Sequence, residues 1–164
     1  MTDVLEGWSE YNVAMTGAAA ALAGLVIVAA SVNIGEIVKS SSLTSRLGSG
    51  IGTLVLAIAV SALGLFPGIP TPVYGVCVLV GAALGGVLQT VSARDIVRDP
   101  APESRMRVAK AALGFVQLVA YAAGGLLLVA STAEAGAVLV AVGSILAICS
   151  ALLISWVALV EVLR

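Results

Sequence analysis

The side chains of this chain best able to do chemistry are gathered in one short stretch. Ser92 to Lys110 holds five of the eight basic residues, Arg94, Arg98, Arg105, Arg107 and Lys110, interleaved with Asp95, Asp99 and Glu103. In a soluble protein such an island would suggest a phosphate or nucleic-acid site. Its surroundings decide otherwise. On both sides the chain is almost free of charge and oily enough to span a bilayer, where basic residues hold a loop on the cytoplasmic side. No nucleic-acid partner is expected. The island instead fixes topology and meets anionic lipid headgroups, each Lys or Arg near the surface contributing ~1 kcal/mol. A pure lipid clamp would have little use for the interleaved acids, so docking to a cytoplasmic partner is a second reading of the same residues.

Other chemistry is sparse. No His occurs, which removes the commonest general base, metal ligand and haem ligand. Cys77 and Cys149 form no CxxC and no zinc spacing. Within their spans they differ in height by roughly 12 Å at ~1.5 Å per residue, too far for a disulfide, which needs Cα atoms within about 7 Å. Gly48, Gly50 and Gly52 do not form a phosphate loop, because an apolar span follows them in place of Gly-Lys-Ser/Thr. The acids lie in tails and loops. An enzyme is not expected, nor a catalytic residue, cofactor or metal. The polar groups left inside the spans include three amides, Asn33, Gln89 and Gln117, with Gln117 the most interior. They read as interhelical hydrogen bonds worth ~0.6–2 kcal/mol; for Gln117 the alternative is a substrate or proton-path contact.

The elements that must position these groups follow from composition. Only 10% of the residues are charged and 60% are hydrophobic, whereas a soluble domain needs about a quarter charged residues to cover its surface. An all-α integral membrane protein is expected, a single membrane domain built as a bundle of five transmembrane helices. The spans fall at about 13–34, 48–66, 73–91, 111–130 and 136–160, with 92–110 as a charged cytoplasmic loop. About twenty apolar residues cover the ~30 Å hydrocarbon core. Trp8, Tyr11 and Trp156 mark interfaces. The three prolines between Phe66 and Pro72 reverse the chain, and Asp99-Pro100 divides the island into one helix end and one helix start. Small residues that would let backbones approach lie at Gly17, Ala21 and Gly24, at Gly48 and Gly52, and at Gly81 and Gly85. They are read first as packing inside the bundle. Asp3, Glu6 and Glu10 precede the first span where a signal peptide would carry basic residues, so that span is expected to belong to the mature chain.

Orientation follows from counting. With the N-terminus outside, the inside segments 35–47, 92–110 and the C-terminal tail contain two, five and one basic residues, all eight in the chain. This places the C-terminus in the cytoplasm, in a bacterial inner membrane. A four-span version, with 13–34 lying in the interface, moves no basic residue but leaves some twenty uncharged residues unburied.

Gly7, Trp8 and Tyr11, followed by the run from Thr16 to Ile34, are similar to the opening of small actinobacterial multi-pass membrane proteins of unassigned role. Some of those carry the label "modulator of FtsH protease". The resemblance implies a membrane protein with no catalytic residues to carry over. Small-residue faces, sparse site chemistry and a charged cytoplasmic surface together suggest an accessory or scaffold subunit that binds other membrane-protein subunits. A lipid importer of the Mce type is the favoured host, because it needs membrane partners but no redox ligands from them. A respiratory supercomplex is the alternative host. A small carrier or flippase, which would need a polar or hydrated cavity, and a regulator of a membrane protease are the other readings. A cysteine placed by Ser104→Cys should react with a membrane-impermeant thiol reagent only from the cytoplasmic side; labelling from outside would overturn the orientation.

Overall fold

In the bilayer core no water is present to satisfy backbone N–H and C=O groups, so a spanning chain must pair them within itself. This chain does so with helices. The computed structural model describes residues 4–98, 107–130 and 132–162, with side chains for all of these except 42, 95–98, 107–113, 158–159 and 161–162. The described helices are α1 (Val4–Gly7), α2 (Ser9–Val32), α3 (Ile34–Ile37), α4 (Ser41–Leu63), α5 (Thr71–Arg98), α6 (Arg107–Val129) and α7 (Ala133–Val162). Four stretches are long and apolar enough to cross a membrane: Ser9–Val32, Leu43–Leu63, Thr71–Arg94 and Ala133–Val157. In α6, whose side chains are described from Gly114 onward, the apolar stretch runs Gly114–Val129. The protein is a multi-span α-helical membrane bundle, with four candidate spans among the described residues. The segment at 13–34 is among these four, and the fourth expected span, about 111–130, is described with side chains only from residue 114 onward.

The connections are more helical than expected. Residues 35–47 hold α3 and the opening of α4, which begins at Ser41 because the Ser40 hydroxyl accepts the Leu43 N–H at 3.4 Å. The proline-rich turn after α4 contains Gly68 at φ +72°, a left-handed conformation that glycine adopts without steric cost.

Helices α4, α5, α6 and α7 pack in sequence around a ring that α4 and α7 close, while α2 lies outside it against α4 and touches α7 only lightly. At one end of the bundle the Tyr11 hydroxyl donates to the Ala141 carbonyl at 2.7 Å. At the other, the Ser92 hydroxyl donates to the Ser45 carbonyl at 3.0 Å. Among the described side chains Glu6, Glu10 and Glu134 belong to the first end. Lys39, Arg46 and Arg94 belong to the second, together with Glu36, whose Oε1 lies 2.6 Å from Lys39 Nζ. The charge asymmetry of the sequence is thus an asymmetry of the two faces.

The closest backbone approaches are made by α6. Its residues 114, 117, 118, 121, 124, 125 and 128 are all buried, the three-and-four spacing of one helix face. A Cβ on Gly125 would lie 2.8 Å from Leu79 Cγ on α5 and 3.1 Å from the Gly75 carbonyl. A Cβ on Gly136 of α7 would lie 2.9 Å from the Leu128 nitrogen and 3.0 Å from the Gly124 carbonyl. Neither site has room for a side chain.

The small residues singled out by spacing fare differently. On α5, Cβ atoms at Gly81 and Gly85 would meet Leu56 methyls of α4 at 2.8 and 3.1 Å, while at Gly52 the neighbour is Leu88 at an ordinary 3.5 Å. Gly17, Gly24 and Gly48 have nothing within 4 Å, and Ala21 is exposed. This corrects the expectation that they pack within the bundle. Helix α2 instead buries Asn12, Ala19, Ala23 and Val26. From Gly17 to Gly24 small residues surround almost the whole helix, so spacing alone cannot choose a face; the polar Asn12 and the branched Val26 do.

Gly125→Ala and Gly136→Ala are expected to destabilise the bundle by ~1–3 kcal/mol through overpacking. Gly24→Ala should be neutral or stabilising by up to ~1 kcal/mol, since alanine favours a helix interior. Thermal midpoints in detergent check both signs; a loss at Gly24 equal to that at Gly136 would refute this packing.

Candidate functional site

Four of the polar residues inside the ring come together near its basic end, between α4, α5 and α6. Gln117 on α6 is 1% exposed. Its Nε2 donates to the Gly114 carbonyl at 2.6 Å, and its Oε1 lies 3.3 Å from the Ser150 hydroxyl on α7. That hydroxyl is also 3.1 Å from the Ala147 carbonyl, so its single proton is shared between a helix-internal bond and a tie to α6. Gln89 on α5 is buried too. Its amide occupies the place where any side chain of residue 114 would begin, so only glycine at 114 admits it. Ser49 and Thr53 of α4 complete the group around an enclosed cavity of about 10 Å³. That is room for about one water, given two amides and two hydroxyls as partners.

This arrangement can hydrogen-bond a water or another small polar group. No acid, base or thiol lines the cavity. Its mechanical role is clear, because a stranded amide in the bilayer core would cost several kcal/mol. Gln117 therefore ties α6 to α7 through Ser150, and Gln89 fits α5 to α6 by filling the space beside Gly114.

The structure brings together Gln89 and Gln117 but not Asn33. The Asn33 Nδ2 donates to the Ala29 carbonyl of its own helix at 3.0 Å, closing the last turn of α2. This corrects its reading as an interhelical contact. Of the basic island, Arg94 is exposed near the end of α5. Arg98, Arg107 and Lys110 lie in the described helix ends of α5 and α6, their side chains outside the described set, and Arg105 and the Asp99-Pro100 break lie outside the described residues. Cys77 and Cys149 are free.

Spacing within single helices missed the tyrosines. Tyr11 ties α2 to Ala141 of α7. Tyr74 donates to the Val60 carbonyl at 3.2 Å, joining α5 to α4. Tyr121 donates to Ser144 Oγ at 3.1 Å, joining α6 to α7, with its ring seated on Gly143. Three tyrosines in a chain with so few aromatics were a usable signal, since a buried phenol needs a partner. Asn12 was another: its amide sits on Gly64, with Nδ2 2.6 Å from where a Cβ would be.

Gly114→Ala should destabilise the bundle by ~1–3 kcal/mol, as overpacking does, and Gln89→Ala in the same chain should recover part of that loss. Additive losses in the double-mutant cycle, measured by thermal unfolding, would mean that the amide does not occupy the glycine's slot. Compared with protein-family models, with curated proteins and with solved structures, the chain matches none.

Proposed function

We propose that this protein is a non-catalytic accessory or scaffold subunit of a larger complex in a bacterial inner membrane. The observation that carries this reading is the lopsided attachment of α2. One face of this helix is seated on α4, and the other, through Gly17, Ala21 and Gly24, faces outward with open space at both glycines. Close approach of a partner helix is what small residues permit in a bilayer. The one-water cavity between α4, α5 and α6 supports the scaffold reading over a carrier, which would have to widen it several-fold to admit a substrate.

In this proposal the chain crosses five times, with the acidic end outside and the basic end in the cytoplasm. Helix α6 has 23 residues, ~34 Å at ~1.5 Å each, long enough for the ~30 Å core when its basic first turns reach the interface. The resemblance of residues 7–34 to small actinobacterial multi-pass proteins accords with this setting. A lipid importer of the Mce type is the preferred host.

Affinity purification from native membranes in mild detergent, followed by mass spectrometry, should recover a reproducible set of membrane subunits. Gly17→Leu with Gly24→Leu should release them while the thermal midpoint of the purified chain holds. Recovery of a lone monomer from the unaltered protein would sink the scaffold reading.

A further inference from the structure

An open groove of about 440 Å³ runs along the surface where α5 meets α6, near the basic end. Ala83, Gly86 and Thr90 contribute its small residues, Val87, Val91 and Phe115 its bulk, and Arg94 one extremity. Gly86 has nothing within 4 Å of where a side chain would begin, which leaves the groove open beside it. The Thr90 hydroxyl donates to the Gly86 carbonyl at 2.6 Å, so it adds little polarity. Val87 and Val91 are 63% and 52% exposed, apolar surface that only hydrocarbon or another apolar side chain would cover.

We propose that this groove holds one anionic phospholipid, with an acyl chain along it and the phosphate on Arg94. Three features select that occupant. The first is length. Ala83 and Arg94 are separated by eleven residues, ~16 Å along a helix, which is half of the ~30 Å hydrocarbon core and so the depth of one leaflet. The second is polarity that changes at the right place. Apart from the Thr90 hydroxyl the lining is apolar, and Arg94, its one charged residue, stands at the extremity toward the basic end, where a headgroup would sit. The third is charge. Arg94 is exposed and has no ion-pair partner among the described side chains, and its guanidinium can take a phosphate through two parallel hydrogen bonds. A second copy of the chain fits less well. A two-fold axis along the membrane normal makes the same patch face itself, which would set each Arg94 opposite its own image at the same depth.

The test is native mass spectrometry of the full chain reconstituted with equal amounts of phosphatidylglycerol and phosphatidylcholine. One phosphatidylglycerol should be retained in preference to phosphatidylcholine. Arg94→Gln should reduce that preference about fivefold, the effect of one basic residue near a membrane surface, and Arg94→Lys should keep most of it. Gly86→Leu should expel both lipids by filling the groove, and because the site is open its thermal midpoint should match that of the unaltered chain. Lys39→Gln, a change at the same end but away from the groove, should leave retention as it was. Equal retention of the two lipids, or a preference that survives Arg94→Gln, would overturn the proposal. So would disulfide-linked dimers formed through Val87→Cys in a chain lacking Cys77 and Cys149, because they would give the groove to a second copy.

Discussion

Two adjacent glycines, Gly124 and Gly125, allow α6 to lie against both of its neighbours at once. Lipid tails are as apolar as leucine, so helices in a bilayer gain little by hiding apolar surface from lipid; dispersion at close range and interhelical hydrogen bonds must hold them together. Consecutive residues on a helix point about 100° apart. Gly124 therefore meets Gly136 and Val140 of α7 while Gly125 meets Gly75 and Leu79 of α5. One turn further on, Leu128 fills the space that Gly75 and Gly136 leave. Helix α6 is in this way the wedge on which the ring closes.

The polar side chains act on that ring as locators. Tyr74 and Tyr121 each tie two neighbouring helices through a buried hydroxyl, and Gln117 shares the Ser150 proton across the same α6 and α7 boundary. At opposite ends of the bundle a buried amide rests on a glycine, Asn12 on Gly64 and Gln89 on Gly114. Each contact has narrow geometric tolerance, because sliding either helix by one residue would drive the amide into a backbone or leave it bare in hydrocarbon. Dispersion supplies the attraction and the amides select the register.

That division of labour explains what could be read from the chain itself. Helical class, membrane residence and the separation of charge were legible because the bilayer constrains every residue along a span. Packing faces were legible only in part. Gly81 and Gly85 lie four apart on one helix and do meet Leu56, but Gly75 with Gly125, and Gly124 with Gly136, are pairs whose members sit on different helices. No within-helix spacing announces them. A row on α7, Gly143, Ala147, Ala151 and Ser155, is buried throughout and had the small-residue spacing of four that was weighed elsewhere. On α2 the same spacing pointed outward, since alanine and glycine surround the helix and the rotation is decided by Asn12. The amides could be named from the sequence; their partners, a glycine slot and a serine on another helix, could not.

The consequence for function lies in where freedom remains. Inside the ring most of the glycines lie where an added Cβ would press on a neighbour, so change there is costly. The outer face of α2 and the groove on α5 carry no such matching. In a bilayer these surfaces trade lipid for lipid at little cost, and a partner that fits either one gains contacts without disturbing the ring. A protein with its selective geometry inside and its adaptable surfaces outside is suited to holding other molecules in place. In the proposed role, specificity resides in what α2 and Arg94 present at the periphery.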